Sequence, residues 1–473
     1  MTQLIGREDE IKILNSLLQS DKSEFVAVFG RRRVGKTFLV REVFKDKFTF
    51  YITGLANSTL ERQLLNFHTS LHDYGKPARD IPVLKNWFSA FRELISFLER
   101  SRSKKKIVFI DELPWLDTPK SGFLSALEHF WNSWASARSD ILLIVCGSAI
   151  SWMLNKLINN KGGLHNRVTY KLKVVPFTLK ECEAFFKSRN VHLNRYQIIE
   201  LYMAMGGIPY YLDAIRPGIS VVQNIDSLFF SKNGLLRDEF FNLYASLFKH
   251  PENHVAVVTA LSKKAKGLTR EEIIHYANLT NGGGITKVLE ELESSGFIMK
   301  YTPFKKRNKQ SLFQLVDFYT LFYFKFICNQ KTGKNYWQNS IDSPRHRAWS
   351  GYAFEQVCLM HMEQIKKELG ISGVHTEESS WRSSGGENGT QIDLLIDRAD
   401  QVINICEIKF SVGEFVIDKK YAQTLRNRIS TFKTETGTRK SVFLTMITTY
   451  GTKTNTYALE LINNNLTMNS LFE

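Results

Sequence analysis

Gly30-Arg31-Arg32-Arg33-Val34-Gly35-Lys36-Thr37 follows the apolar run Phe25-Val26-Ala27-Val28-Phe29 and leads into Phe38-Leu39-Val40-Arg41-Glu42-Val43-Phe44, whose spacing is helical. A strand, a glycine loop and a helix in that order are what a phosphate-binding P-loop requires. The glycines let backbone N–H groups curl around phosphate oxygens, and the helix N-terminus adds the positive end of its dipole. In such a loop Lys36 reaches the β- and γ-phosphates and the Thr37 hydroxyl holds Mg²⁺. Residues 30–37, with Phe38 behind them, are the candidate nucleotide-binding set. The stretch predicts an α/β fold with a parallel sheet and a nucleoside triphosphate, ATP, as ligand.

Working outward, the next partner is Ile107-Val108-Phe109-Ile110-Asp111-Glu112. Four apolar residues ending in two carboxylates predict a buried parallel strand with acids at its C-terminal end, where ligands sit in open α/β sheets. Asp111 is the candidate for holding Mg²⁺ through its waters, and Glu112 the candidate general base for the attacking water. A second apolar strand, Ile141 to Cys146, ends in Gly147-Ser148-Ala149, which places Ser148 near the γ-phosphate or in a tight turn that needs small residues. Arg167 is a candidate for stabilising phosphate charge, in cis or on a neighbour's nucleotide, or else a surface ion-pair residue. Gly6-Arg7-Glu8 opens a helix ahead of the P-loop strand, which makes Arg7 an adenine-side candidate or part of a helix covering the sheet edge. Between these motifs Trp87, Phe88, Phe91, Leu94, Ile95 and Leu98 recur at helical spacing and are expected core. The basic run Arg102 to Lys106 reads as a solvated loop.

The 473 residues hold enough for two to four domains, and 43% hydrophobic residues are ample for their cores. With 63 Lys and Arg against 47 Asp and Glu, the formal net charge is +16 and the pI about 9.4, which favours a polyanionic partner. No apolar run reaches the length of a membrane-spanning helix, and Met1-Thr2-Gln3-Leu4 leads straight into a charged helix rather than a signal peptide. Five widely spaced cysteines, without zinc spacing, point to buried thiols in a reducing compartment. The expected location is cytoplasmic, with no membrane contact.

The second half changes character. Residues 177–250 read as helices alone, a lid on the nucleotide core, with Gly206-Gly207-Ile208-Pro209 breaking one helix and starting the next. The Pro209 ring can also pack flat on adenine. Residues 251–328 read as three helices and a hairpin with the basic tip Lys305-Lys306-Arg307-Asn308-Lys309, a winged helix whose tip could lie along a phosphate backbone. Glu290, Glu291 and Glu293 on the would-be recognition helix argue for structural or protein contact over reading a major groove. Residues 329–348 read as a linker. Residues 349–473 then carry a helix with Glu355, a Ser/Gly-rich loop from Ser379 to Thr390, a strand with Asp393, and Val402 to Phe410 with Glu407 and Lys409. Glu407 and Lys409, two apart on a strand, share a face that Asp393 can meet. Two carboxylates for a divalent metal beside a lysine form a phosphodiesterase arrangement, with a salt bridge between strands as the simpler alternative.

Taken together, Gly6-Arg7-Glu8, the P-loop, Ile110-Asp111-Glu112, Gly147-Ser148, Gly206-Gly207-Ile208-Pro209, the winged helix and Asp393 with Glu407-x-Lys409 resemble prokaryotic AAA+/STAND-like ATPases with a C-terminal PD-(D/E)XK nuclease-like domain. The resemblance covers nearly the whole chain. It implies a P-loop NTPase core over residues 1–176, then the helical lid, the winged helix and a restriction-endonuclease-like α/β domain. It also implies a base contact for Pro209 and a nuclease-like set of Glu355, Asp393, Glu407 and Lys409, with Mg²⁺ or Mn²⁺ on Asp393 and Glu407. The function it implies is ATP hydrolysis coupled to a nuclease acting on DNA more than RNA. The alternative is an ATP-dependent switch or scaffold that grips nucleic acid or a protein without cutting. Oligomeric state is left open.

Overall fold

The computed structural model describes residues 4–75, 83–160, 162–306, 310–328, 335–383, 385 and 389–473. The chain forms two units, Met1–Pro176 and Phe177–Glu473.

In the first unit, strands β1 (Glu24–Phe29), β2 (Phe48–Thr53), β3 (Lys106–Asp111), β4 (Ile141–Gly147) and β5 (Tyr170–Lys173) form one sheet in the order β2-β3-β4-β1-β5, parallel at every pairing. Strands β1, β3 and β4 are buried along their whole lengths, as expected for sequences apolar at nearly every position and covered on both faces. The helices Leu60–Gly75, Trp87–Arg100 and Phe123–Ser133 supply one large core. In it the Trp87 and Phe123 rings meet edge to face, 4.9 Å between centroids. Trp87, Phe91, Leu94 and Leu98 are buried, but Phe88 is 47% exposed. One residue on from Trp87 it is turned about 100° around the helix, off the core-facing stripe. The basic run also differs from its reading as a solvated loop. Lys105 Nζ donates to the carbonyls of Ser20, Lys22 and Ser139, and Lys106 pairs with Asp140 at 2.6 Å. These lysines tie off one end of the sheet.

The second unit begins with helices. Its Gly206-Gly207 break is a close backbone approach: Phe177 N–H donates to Gly207 O at 2.6 Å, and a Cβ on Gly207 would lie 2.0 Å from Phe177 O. The helix Leu179–Ser188 is held at its start by His361, whose Nε2 accepts the Leu179 N–H and whose Nδ1 donates to Val357 O. Burial lowers this imidazole's pKa to about 4, so it stays neutral. The helices Glu252–Ser262, Arg270–Ala277 and Gly283–Ser294 precede antiparallel β6 (Ile298–Tyr301) and β7 (Leu312–Leu315), and Leu268 bridges to Phe313. At the hairpin tip Lys305 and Lys306 are described; Arg307, Asn308 and Lys309 lie outside the described residues.

Residues 335–348 do not behave as the expected linker. Trp337 is buried against Phe322, Phe326 and Trp349, Asp226 accepts the N–H groups of Trp337 and Gln338, and a helix already starts at Pro344. The aromatic residues that looked like decoration on a connector are a small core. Strands β8 (Thr376–Arg382), β9 (Gln391–Arg398), β10 (Val402–Lys409), β11 (Ser441–Thr448) and β12 (Asn464–Thr467) complete a five-stranded sheet in the order β12-β11-β10-β9-β8. β8, β9 and β10 pair antiparallel; β10, β11 and β12 pair parallel, with the helix Lys419–Thr436 between β10 and β11. The first residues of the Ser/Gly-rich segment, Ser379 to Arg382, belong to β8 rather than to a loop.

On the helix Arg195–Met205, Tyr196 stacks on Phe410 (4.9 Å) and Tyr450 (5.8 Å), and Glu200 lies one turn on. Glu200 has no hydrogen-bonding or ionic partner among the described residues, and burial raises its pKa from 4.5 to about 7. Between those pH values the folded chain retains a proton that the unfolded chain releases, so this residue lowers stability as pH rises through the window. Glu200→Gln should therefore stabilise the protein at pH 8 by about 1–2 kcal/mol, allowing for partial exposure, and the gain should vanish by about pH 4.5. Urea melts of both proteins at the two pH values measure it; a gain independent of pH would rule out an ionised Glu200 as the cause.

Candidate functional site

The P-loop joins β1 to the helix Lys36–Val43. Gly30 passes so close to the chain leaving β5 that a Cβ would lie 2.1 Å from Val174 O, which accounts for glycine here independently of any phosphate. Lys36 is buried, and its Nζ donates to the carbonyls of Gly30 (3.0 Å) and Arg31 (2.9 Å). The ammonium thus satisfies itself on its own loop. Arg31 and Val34 are buried, Arg32 is exposed, Arg33 and Gly35 adopt positive φ, and Phe38 is partly exposed on the first helical turn.

Beside the loop, the Thr37 hydroxyl donates to the Asp111 carboxylate at 3.0 Å. A hydroxyl and a carboxylate are hard oxygen donors, the type Mg²⁺ takes, and they already meet. Burial, and then the charge of Glu112, raises the Asp111 pKa. Such a carboxylate gains from a cation beside it. Glu112 sits in the left-handed region (φ 47°, ψ 45°), uncommon for a residue with a side chain. Its carboxylate accepts the Ser148 hydroxyl at 3.0 Å, which ties the end of β3 to the end of β4. Asp111, Glu112, Ser148, Lys36 and Thr37 thus gather at the C-terminal edge of one parallel sheet.

Arg7 is buried and anchors the loop from behind. Its guanidinium donates to Val34 O (3.1 Å) and Val175 O (2.6 Å) and pairs with Glu10 (3.2 Å). Arg167 is exposed after the turn that starts at Leu164, with no side-chain partner among the described residues. Pro209 is the first residue of the short helix Pro209–Leu212 and belongs to the second unit, whereas the P-loop belongs to the first.

A second group of charges lies wholly within the second unit. Glu355 comes from the helix Pro344–Met360, Asp393 from β9, and Glu407 and Lys409 from β10. The β9–β10 ladder runs to Cys406 opposite Leu394, so Asp393 and Glu407 are the next residues across from each other. Lys409 pairs with Glu407 at 2.8 Å. Arg428 and the Tyr421 hydroxyl, both from the helix Lys419–Thr436, also bind Glu407. Burial, followed by the neighbouring Asp393, raises the Glu355 pKa to about 7. Lys266 pairs with both Asp393 and Glu355, the latter at 3.4 Å, and Gln391 donates to Asp393 at 2.9 Å.

The oxygens are of the right kind for a divalent ion, but their arrangement is not. Among the described residues no three acidic, His or Cys side chains converge as a metal site, and the cation between Glu355 and Asp393 is an amine of this chain. Lys266, Arg428 and Tyr421 escaped the sequence reading. Lys266 precedes Asp393 by 127 residues inside a lysine-rich turn, where its neighbours carry the same charge and no spacing singles it out. The cluster opens on a cleft of about 830 Å³ lined also by Lys300, Lys305 and Lys306.

Comparison with known proteins places the nucleotide site in context. Residues 4–215 match the model of a family described as an ATPase domain predominantly from Archaea. An uncharacterized protein of Methanocaldococcus jannaschii is 24% identical over 411 residues, 86% of this chain and 87% of its own. Among solved structures, the chain is similar to the Walker-type ATPase PABY2304 of Pyrococcus abyssi (18% identity, 67% of this chain and 95% of that one, TM-score 0.49). It is also similar to the Aeropyrum pernix ORC2 protein (14%, 67% and 91%, TM-score 0.42). Both TM-scores lie below one half, so the fold rests on this chain's own strand order and on the family match. Among the described residues no helix is long and apolar enough to cross a membrane. Family match, parallel sheet and P-loop agree: the N-terminal part of this chain is an ATPase-type P-loop domain.

Proposed function

We propose that the chain hydrolyses ATP and couples it to a nuclease-like domain that acts on nucleic acid, DNA more than RNA. The observation that carries the ATPase half is the pairing of Thr37 with Asp111 and of Glu112 with Ser148 beside Lys36. In this reading Lys36 exchanges the carbonyls of Gly30 and Arg31 for the β- and γ-phosphates, and Arg7 keeps the loop from recoiling through Val34. Mg²⁺, when bound, would lie by Thr37 and Asp111 and neutralise phosphate charge. Glu112, held by Ser148, orients the attacking water and accepts its proton. Arg167 remains the candidate for a charge acting in cis or in trans, and Pro209 for a contact with the base.

For the second unit, the reading rests on element order. We read a helix with Glu355, antiparallel β8-β9-β10 with Asp393 and Glu407-x-Lys409, a helix, and parallel β11 as a PD-(D/E)XK arrangement. The three helices with β6 and β7 are read as a winged helix. The exposed Glu290 and Glu293 on its third helix repel a DNA groove, so phosphate contacts are assigned to Lys300, Lys305 and Lys306 in the cleft. One observation favours a second reading, a domain that grips nucleic acid without cutting. Glu355, Asp393 and Glu407 are each already paired with a cationic side chain. Incubating the protein with Mg²⁺ or Mn²⁺, ATP and mixed DNA and RNA separates the two readings by whether strands are cut or only bound.

Lys36→Ala should abolish tight ATP binding. Glu112→Gln should keep binding and lower turnover by at least about 10²-fold, because an amide cannot take the water's proton. Equal turnover in wild type and Glu112→Gln would remove Glu112 from the mechanism.

Replacing Lys305 and Lys306 by Ala should flatten the dependence of log affinity for DNA on log salt, by about one unit per lost phosphate contact. Titrations across a salt series measure the slope, and an unchanged slope places the binding face elsewhere.

A further inference from the structure

Gln356, on the helix Pro344–Met360, is only 1% exposed and lines the cleft of about 830 Å³. Its Oε1 has no hydrogen-bonding partner among the described residues. A buried polar atom left unpaired is costly, and packing does not call for one here: a leucine would fill the position without an orphaned oxygen. The two other glutamines of the cleft are committed. Gln314 Nε2 donates to Ala265 O (2.9 Å), and Gln391 Nε2 donates to Asp393 (2.9 Å). Ser379 on β8 repeats the pattern of Gln356. It lines the same cleft, and its Oγ is buried with no partner among the described residues. An unsatisfied amide and an unsatisfied hydroxyl at one cleft are hydrogen-bonding groups left for a ligand from outside the chain.

The rest of the lining narrows the ligand. Met299, Leu359, Met362, Leu394 and Ile408 give the cleft apolar surface of the kind that covers a flat ring. Of its five carboxylates, four are already in ion pairs. Glu355 and Asp393 hold Lys266, Glu378 holds Lys366 (2.6 Å) and Asp397 holds Lys440 (2.5 Å). That leaves Glu377 against Lys300 and Lys306, both exposed and without an ion pair among the described residues. The uncommitted charge is therefore positive on balance and suits a phosphate. A cleft of this size lies within the range of small-ligand sites, about 300–1,000 Å³, and has room for a nucleotide but not for a double helix. In a duplex the pairing edge of each base is also turned to the partner strand. A base reaches a side chain as buried as Gln356 only when it is out of the stack.

We propose that the cleft takes one unpaired nucleotide of a single strand, with its base edge on Gln356 and Ser379 and its phosphate on Lys300 and Lys306. The proposal rests on the reading of the second unit as acting on nucleic acid. It adds the form of the substrate, unpaired strand over duplex, and it requires no metal ion.

The test is fluorescence anisotropy of the full chain, free of ATP and in chelator so that no strand is cut. Three probes are compared: a mixed-sequence single strand, the same sequence as a blunt duplex, and an abasic strand of equal length that keeps the phosphates and lacks the bases. Wild type should bind the single strand about ten-fold more tightly than either of the others. Gln356→Leu and Gln356→Met should lose that advantage and leave the abasic affinity unchanged, whereas Lys300→Ala with Lys306→Ala should weaken the single and abasic strands alike. Thermal melts establish that each variant folds, and the comparison of probes on wild type stands without them. A single strand bound no more tightly than the abasic strand or the duplex, or an advantage that folded Gln356 variants keep, overturns the pocket and leaves the nucleic-acid reading standing. Displacement of the strand by deoxynucleoside monophosphates at comparable concentration makes the ligand a free nucleotide and overturns the strand. Binding of none of the three probes overturns the nucleic-acid reading and the pocket with it.

Discussion

A charge taken out of water must meet an opposite charge or a set of hydrogen bonds, and both sites in this chain are built around that requirement. Lys36 is buried at the tip of the P-loop and turns its ammonium onto two carbonyls of its own loop. Asp111, buried beside it, takes the Thr37 hydroxyl, and Arg7 is held under the loop by two carbonyls and Glu10. The bonds of Lys36 and Asp111 are of the kind that a phosphate or a metal ion can replace, whereas those of Arg7 fix the loop from behind.

The second unit meets the same requirement with ion pairs. Glu407 is enclosed by Lys409, Arg428 and Tyr421, and such a desolvated carboxylate would be costly if any of these partners were removed alone. Glu355 and Asp393 rely instead on Lys266, reaching in from a different module. The two halves of the cluster therefore differ in kind: one is closed by a neighbour on its own strand and by the helix Lys419–Thr436, the other by a residue from the turn before the helix Arg270–Ala277.

Close backbone contact is the other recurring device, and it changes what the glycines mean. By sequence, Gly30 is part of a phosphate cradle and Gly207 a helix breaker. Each also sits where another strand of backbone leaves no room for a Cβ, Val174 O in one case and Phe177 O in the other. Gly30 therefore has a packing role that is present before any nucleotide arrives.

The sequence by itself determined what is carried by short-range pattern. The P-loop, the all-apolar strands ending in Asp111 and Gly147, the helical stretch after Pro176 and the shared face of Glu407 and Lys409 all follow from residues a few positions apart. Periodicity and motif spacing are properties of the local chain. Only the tertiary structure decided what depends on distant segments meeting. It buried Trp337 in an aromatic core where composition suggested a linker, turned Phe88 outward, and used Lys105 and Lys106 as clamps. It also brought Lys266 across 127 residues to Asp393 and Arg428 onto Glu407. A charged side chain looks alike in sequence whether it faces water or a carboxylate, because its partner is chosen by the fold and not by its neighbours in the chain.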